Sequence, residues 1–314
     1  MRKKLLGLII PIISSVVFSF GAFASSAVSA NSVPVPEKTG VIEAVLGKTD
    51  QKKNDSSNIL LIGQDTRDPG QRARSDTMIL CNINKRTGKI KLVSFMRDLY
   101  VSIPGYEDNR INAAYAYGGA ELLDKTIEEN FGVHIDGNVE VDFDRFISSL
   151  SQIGNLDIEL NKEEAEFLNS HAAWIKDAVS NADPSEWDLS EGVNSMTAEQ
   201  VLSYARIRFV GNNDYERTER QRKVLISAFD KISNEDLLSI IRLAKKIIPD
   251  LRTDLSVKDI LGYVYTAVSR DMNIDSTSRI PADGYSHGES VRGMSVIIPD
   301  LEANREILND FLTD

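Results

Sequence analysis

Two carboxylates flank a loop that directly follows a short apolar run near the start of the folded part of the chain. The run NILLIG (58–63) is followed by Asp65 and, eleven residues later, by Asp76. A loop at the carboxyl end of a buried strand is where α/β proteins hold ligand-binding groups. Such a pair suits Mg²⁺, which takes few carboxylates and completes its octahedron with water and phosphate oxygens. The alternative is that both aspartates pair with neighbouring arginines, and the spacing favours neither interpretation.

The densest charged segment runs from residue 204 to residue 222. Arg206 and Arg208 fall at the end of one predicted helix, while Arg217 and Gln221 share a face of the next because they are four residues apart. Arginine grips phosphate oxygens bidentately and stays charged. Several arginines with a divalent cation would neutralise a pyrophosphate and the charge that develops on its leaving group. The alternative is a salt-bridged pair of helices.

Other candidates extend this set. Arg97 directly follows the predicted strand 89–95, and Arg220 lies within the dense segment. Asp214 stands at the predicted start of the helix that carries Arg217. It is a candidate recipient for the proton of an attacking hydroxyl, or simply an N-cap, a role that Asp commonly fills.

The composition narrows the class of ligand. The net charge is −11, which argues against nucleic-acid binding through a basic surface. Eleven of the 19 arginines nevertheless fall in two stretches, 67–110 and 206–222, which indicates a local anion site. Cys81 is the only cysteine and lies in an apolar run, so we expect a core thiol. The three histidines have no zinc-ligand spacing.

Strands and helices that would position these residues alternate along the chain. Apolar runs predict strands at 58–63, 77–83, 89–95, 139–143 and 295–299. Apolar residues at three- and four-residue spacing predict helices at 112–130, 144–153, 162–178, 197–207, 214–232, 235–247, 256–270 and 300–313. Asp144 and Thr197 are the expected N-caps of their helices, the latter in a capping box with Gln200. The pattern predicts one α/β domain with helices covering a mixed sheet.

The N-terminal part of the chain predicts export. Arg2, Lys3 and Lys4 precede an apolar stretch that runs from Leu5 to about Ala24. Basic residues before an apolar segment place the N-terminus in the cytoplasm and the remainder outside. Residues 1–30 are therefore a signal anchor or a cleaved signal peptide, with both readings open. Residues 31–57 read as a linker to a catalytic domain at 58–314, with a motif core at 58–232 and C-terminal helices and a closing strand at 233–314.

Four ordered motifs make a family resemblance specific. NILLIGQDTR…RSDTMIL, KLVSFMRDLYVSIPG, RINAAYAYGG and MTAEQVLSYARIR…DYERTERQR follow one another over residues 58–232. Together they resemble the LytR-CpsA-Psr family. The sequence departs from the family's usual Ile-Pro at Phe95-Met96 and from its usual Gly-Val pair around Gly154.

The resemblance implies a fold, an activity and a site. The fold is an α/β/α sandwich with a central mixed sheet. The activity is Mg²⁺-dependent, with Mn²⁺ possible, and attaches a glycopolymer phosphate from a polyprenyl-pyrophosphate carrier to a peptidoglycan hydroxyl as a phosphodiester, at the outer face of the cell membrane. Asp65 and Asp76 match the metal-binding aspartates, and the residues that match the pyrophosphate-binding set are Arg74, Arg97, Arg206, Arg208, Arg217 and Gln221. Which polymer is carried, whether teichoic acid, capsule or another wall polymer, stays open.

An apolar groove is expected for the prenyl chain. As in the family, it would be lined by residues of the predicted helices, namely Leu122, Leu123, Phe146, Leu150, Leu225, Ile226 and Phe229. Ordinary core packing is the alternative for each of them. Two other functions remain open: a lipid-pyrophosphate phosphatase, in which water replaces the acceptor, and a non-catalytic regulator of the cell envelope.

Overall fold

The computed structural model describes residues 55–64, 73–171, 184–212, 214–235, 237–247, 252–256, 259–260, 262–263, 266–267 and 272–314. The strands are β1 (Ser56–Gln64), β2 (Ser75–Asn84), β3 (Lys89–Phe95), β4 (Tyr100–Val101), β5 (Asn109–Arg110), β6 (Gly137–Val141), β7 (Leu156–Leu160), β8 (Gly192–Met196), β9 (Arg252–Thr253), β10 (Asn273–Ile280), β11 (Ser286–Val291) and β12 (Met294–Pro299). The helices are α1 (Asn112–Phe131), α2 (Phe143–Ile153), α3 (Lys162–Ser170), α4 (Ala198–Arg206), α5 (Asp214–Ser233), α6 (Leu237–Ile247) and α7 (Leu301–Thr313), with a 3₁₀ turn at Pro184–Glu186.

A six-stranded mixed sheet forms the centre of the fold, in the order β10-β3-β2-β1-β6-β9. β1, β2 and β3 are antiparallel neighbours, whereas β6 and β10 run parallel to β1 and β3. Successive side chains of a strand point to opposite faces. Leu60 and Ile62 therefore lie in one apolar cluster and Ile59 and Leu61 in another. Both faces of the central strands are apolar and need a covering layer.

Helices supply that cover on both sides. Leu123 and Ile127 of α1 and Leu308 of α7 pack in the cluster of the first face. Leu225 and Phe229 of α5 pack on the second. The α/β/α sandwich with a central mixed sheet is therefore confirmed.

A second apolar core positions the arginine-rich segment. The hairpin of β7 and β8 packs with α2, α3, α4 and one side of α5. Thr197 and Gln200 form the predicted capping box at the start of α4. Ile207, directly after α4, is fully buried, with φ −55° and ψ 128°. Its burial holds in the core the backbone between Arg206 and Arg208.

Several local predictions needed correction. The cap of α2 is Asp142, whose side chain accepts a hydrogen bond from the Arg145 backbone N–H at 3.0 Å, and Asp144 lies inside the helix. The strand predicted at 295–299 does not close the main sheet, because β12 pairs with β11 in a separate hairpin. The edge beside β3 is instead occupied by β10.

Other predictions stand or lie outside the described residues. Cys81 is a buried thiol in β2, and burial raises its pKa to about 12. Residues 1–54, with the predicted anchor and most of the linker, are outside the described part of the chain. Among the helices that the structure does describe, none is long and apolar enough to cross a membrane.

Candidate active site

Asp76, near the start of β2, is the centre of an arginine cluster. Arg97 donates from Nη1 to one of its carboxylate oxygens at 2.9 Å, and Arg208 donates from Nη2 to the other at 2.8 Å. Arg217 donates to the backbone carbonyl of Asp76 at 3.3 Å. Residues that are 21, 132 and 141 positions away in the sequence thus meet at one aspartate, two of them at its carboxylate and Arg217 at its backbone carbonyl.

Arg97 links this carboxylate to two others. Its Nε donates to Oδ2 of Asp214 at 3.0 Å and lies 3.5 Å from Oδ2 of Asp98. The same oxygen of Asp214 accepts from Arg217 at 3.3 Å. The structure begins α5 at Asp214, so the start of this helix brings the candidate base against Arg97, which follows β3, and against Arg217 of the same helix.

The charges in the cluster hold one another ionised. Burial raises the pKa of Asp76, but the charges of Arg97, Arg217 and Arg208 outweigh it and the pKa lies below its usual value. Burial lowers the pKa of Arg97, but the charges of Asp76 and Asp214 raise it by more, so the net change in the pKa is upward. Asp98 goes the other way: burial and the nearby Asp214 raise its pKa.

Arg217 is buried, and two of its nitrogens lack an acceptor among the described residues. It is 2% exposed, and neither Nε nor Nη1 makes a hydrogen bond within that part of the chain. Burial, together with the charges of Arg97 and Arg208, lowers the pKa of its guanidinium to about 10 in spite of Asp214. Buried donors are normally satisfied, and leaving one unmade costs roughly 1–3 kcal/mol. Arg217 therefore stands ready for an anionic ligand.

A mostly apolar cavity extends from this cluster. Its polar end includes Asp76, Arg206, Arg208, Arg217 and Gln221. Its apolar walls come from the sheet, α2, α4 and α5, and include Leu61, Ile79, Val139, Phe143, Phe146, Leu150, Leu202, Val224 and Leu225. The arrangement suits an amphiphile with an anionic head and an apolar chain.

The predicted groove residues divide into two groups. Phe146, Leu150 and Leu225 line the cavity as expected. Leu122 and Leu123 pack in the core on the opposite face of the sheet, and Phe229 packs in the core beneath α5. Ile226 faces a separate polar cleft on the other side of α5. These four residues therefore do not line the cavity; they pack in the core or face another surface.

Arg220 is not brought to the cavity. It is 1% exposed and donates to the carboxylates of Glu164 at 2.7 Å and Glu216 at 2.8 Å. Its remaining donors reach the carbonyls of Ile207 at 3.2 Å and Val210 at 3.0 Å. Arg220 therefore secures the loop between α4 and α5 through four hydrogen bonds and does not line the cavity.

The remaining predicted residues are placed less directly. Arg74 is exposed, just before β2, and does not line the cavity. Asp65 lies outside the described residues, so its expected meeting with Asp76 stays a prediction. Arg206 stacks over the ring of Phe143, with its guanidinium carbon 4.5 Å from the ring centroid, a cation–π contact that the sequence did not suggest.

Asp98 directly follows Arg97 after β3, and the sequence predicted no role for it beyond that pairing. Its Oδ1 lies 3.2 Å from Nε of Arg110, so it joins the cluster to a second arginine.

A divalent cation is compatible with the donors on this side of the cavity. The described residues contain no group of three or more metal-ligand side chains. However, Mg²⁺ is commonly held by one or two carboxylates together with substrate phosphates. Asp76 is ionised, lines the cavity and keeps lone pairs free, since each of its oxygens accepts one of the bonds described above.

Comparison with known proteins agrees with this geometry. The model of the LytR_cpsA_psr family matches residues 19–311. Over 266 residues the chain is 30% identical to the polyisoprenyl-teichoic acid–peptidoglycan teichoic acid transferase TagU of Oceanobacillus iheyensis, covering 81% of this chain and 75% of that protein. TagU of Enterococcus faecalis is 32% identical over 207 residues, which are 64% of this chain and 62% of that relative's length. A solved structure described as TagT bound to LI-WTA superimposes with a TM-score of 0.64 at 25% identity, covering 83% of this chain and 92% of that one.

Proposed function

The chain belongs to the LytR_cpsA_psr family, and on this premise we propose that it transfers a glycopolymer phosphate from a polyprenyl-pyrophosphate carrier to a hydroxyl of peptidoglycan. The product is a phosphodiester, and the lipid leaves as polyprenyl phosphate. The two TagU relatives are named for the corresponding transfer of teichoic acid. Teichoic acid is accordingly the polymer class we favour, with capsule and other wall polymers as alternatives.

The observation that carries this proposal is Arg217 at the junction of cavity and cluster. Its Nε and Nη1, which have no acceptor among the residues that the structure describes, are buried between an apolar cavity and an ion-paired carboxylate. A pyrophosphate would supply the missing acceptors while its prenyl chain lies along the apolar walls. A soluble phosphate compound would explain the arginines but leave the apolar lining without a role.

The residues can then be given roles. Arg206, Arg208 and Arg217 bind the pyrophosphate oxygens and stabilise the charge that builds on the departing polyprenyl phosphate. Arg97 orients Asp76 and Asp214 through the contacts described above. Asp214 takes the proton as the acceptor oxygen bonds to the polymer-side phosphorus and the bond to the bridging oxygen breaks.

A bound Mg²⁺, or Mn²⁺, is part of this proposal. Asp76 and Asp65 would hold it, and it would supply positive charge against the pyrophosphate. The full-length protein should therefore lose transfer on treatment with EDTA and regain it when MgCl₂ is added back. Full activity of Asp76→Ala in EDTA would show that transfer does not need a metal ion held by Asp76.

We also propose that the protein acts at the outer face of the cytoplasmic membrane, tethered by its N-terminal segment. The support is the basic flank at residues 2–4 and the apolar stretch that follows it. Protease added to intact protoplasts should digest the domain, while recovery of the protein in the cytosolic fraction would contradict this location.

The transfer itself is tested with the full chain in detergent, a polyprenyl-pyrophosphate-linked glycopolymer and polymer-free peptidoglycan. We expect polymer to become linked to peptidoglycan through phosphate as an equal amount of polyprenyl phosphate is released. Release of free phosphorylated polymer in place of the linked product would show a phosphatase. Absence of both products would show that the protein binds the carrier without catalysing a reaction.

A further inference from the structure

Two tyrosine rings, one in the loop between β4 and β5 and one on α1, form an exposed aromatic surface. Tyr106, in the loop between β4 and β5, stacks on Tyr117 of α1 with the ring centroids 4.8 Å apart and an interplanar angle of 21°. Their side chains are nonetheless 53% and 42% exposed. We call these two rings the tyrosine platform.

The platform is held in place by contacts that the stacking alone does not require. Asn109 donates to the hydroxyl of Tyr117 at 2.9 Å. Arg292, at the tip of the β11–β12 hairpin, donates to the carboxylate of Glu107 and the carbonyl of Asp108 in the same loop. It also donates to the hydroxyl of Tyr100 at 3.0 Å. The loop is thus braced from a neighbouring element, which lowers the entropic cost of binding to it.

A chain of ion pairs connects the platform to the arginine cluster. Arg110 directly follows Asn109 and contacts Asp98, which in turn contacts Arg97. Arg110 also donates to the carbonyl of Ser295 in β12 at 2.5 Å. Neither Arg97 nor Arg110 lines the apolar cavity, so these ion pairs lie outside the cavity wall.

The geometry of phosphoryl transfer determines which substrate binds on the side of the cluster that does not line the cavity. The attacking and leaving oxygens lie roughly in line through the phosphorus. If the lipid leaves into the apolar cavity, the acceptor hydroxyl must approach from across the cluster. Arg97, Asp98 and Arg110 belong to the part of the cluster that does not line the cavity, and Arg110 follows Asn109, which holds Tyr117 of the platform.

We propose that the tyrosine platform is a docking site for the glycan strand of the acceptor, a β-linked chain of pyranose sugars. The inference rests on the proposed function, because it takes the acceptor side from the in-line geometry. Pyranose rings with equatorial substituents expose a flat C–H face that packs on an aromatic ring. Asn109, which donates to the Tyr117 hydroxyl, lies beside the rings and adds a hydrogen-bonding side chain of the kind that sugar hydroxyls need.

The test uses cosedimentation of the full-length protein in detergent with insoluble peptidoglycan stripped of attached polymer. The double variant Tyr106→Ala/Tyr117→Ala should bind about tenfold more weakly than the wild type. Tyr285→Ala is the matched control, since Tyr285 is 45% exposed at the other end of the β11–β12 hairpin and should bind normally. Tyr106→Phe, which keeps the ring, should also bind normally.

A second measurement separates the acceptor from the donor. Capture of a polyprenyl pyrophosphate without sugar, and of one that carries glycopolymer, should be the same in the double variant and the wild type. Unchanged peptidoglycan binding by a folded double variant overturns the proposal. So does a selective loss of the glycopolymer-bearing carrier, which would assign the platform to the donor. Tyrosine-dependent binding by a protein with no transfer activity would uphold the docking site while the proposed function fails.

Discussion

Arg217 and Arg220 are three residues apart on α5 and are almost equally buried, yet their surroundings differ completely. Arg220 makes four hydrogen bonds, to two carboxylates and two backbone carbonyls. Arg217 makes two contacts of 3.3 Å from Nη2, whereas its Nε and Nη1 have no acceptor among the described residues. Three residues turn a helix by about 300°, a net offset of about 60°, and this offset directs Arg220 at Glu164 of α3 and Arg217 at Asp76 of β2.

The contrast shows how a structural arginine differs from one that serves a ligand. A buried charge that is fully paired holds elements together, and its removal leaves the partner charge uncompensated. A buried charge with unmet donors beside a cavity is a cost to the folded protein that a bound anion would remove. Substitutions of the two kinds of arginine should therefore have different effects on stability and on lipid binding.

The largest effect is expected at Arg220. Arg220→Met leaves the buried Glu164 without its partner, and breaking such a pair costs about 3–5 kcal/mol of unfolding free energy. Urea denaturation measures it. Lys223→Met is the control on the same helix, because the Lys223–Glu219 pair is exposed and should contribute less than about 1 kcal/mol. Equal stability of the two variants would mean that Arg220 is not structural.

The next effect concerns the rate of transfer. Asp214→Asn keeps a polar group against Arg97 and Arg217 but cannot accept the proton. The variant should fold and capture the lipid carrier, while transfer falls roughly a hundredfold or more in single-turnover assays. A near-normal rate would limit Asp214 to holding the two arginines in place.

A smaller loss is expected for capture of the lipid carrier. Arg206→Ala and Arg208→Ala should each weaken polyprenyl pyrophosphate binding about ten- to a hundredfold, since a charge-assisted contact contributes roughly 1.5–3 kcal/mol. Lys at either position should restore only part of the affinity because it lacks the planar fork. Arg242→Ala, an exposed arginine on α6, is the control and should bind normally. Undiminished affinity in both cavity variants would mean that Arg206 and Arg208 form surface salt bridges and do not bind the lipid.

The smallest effect is the dependence of stability on pH at Asp76. Its pKa in the folded protein lies below the ordinary value of 3.8. Its ionised form therefore stabilises the fold above that value, and the contribution is lost as the pH falls through the folded pKa. Between pH 5 and pH 3, Asp76→Asn should lose less unfolding free energy than the wild type. An identical loss in both would show that the arginine cluster does not stabilise the ionised carboxylate.

Periodicity was enough to predict the elements that carry the site. The predicted helix 214–232 agrees with α5 within one residue at its end, and the capping box at Thr197 was read from two side chains. β10 was missed because its residues alternate in exposure and form no apolar run, as befits an edge strand. The β7–β8 hairpin was missed for a related reason, since β8 is largely exposed and polar.

The division of labour among the arginines could not be predicted from the sequence. Arg220 and Arg217 look alike there, because the partner that distinguishes them, Glu164, is 56 residues from Arg220 along the chain. The role of Asp98 could not be predicted for a similar reason, since its contact with Arg110 depends on how the β4–β5 loop folds back. Residue type and spacing identified the cluster, and tertiary contacts assigned its members.

The most direct test of the central claim is a paired measurement on Arg217→Met, combining its unfolding free energy with its affinity for a sugar-free polyprenyl pyrophosphate. Because Arg217 is buried with unmet donors, we expect the variant to be within about 1 kcal/mol of the wild type or more stable. Affinity should fall at least tenfold, and the lipid should no longer raise the melting temperature. A variant that loses several kcal/mol of stability, as expected for Arg220→Met, yet binds the lipid as tightly as the wild type would contradict the account.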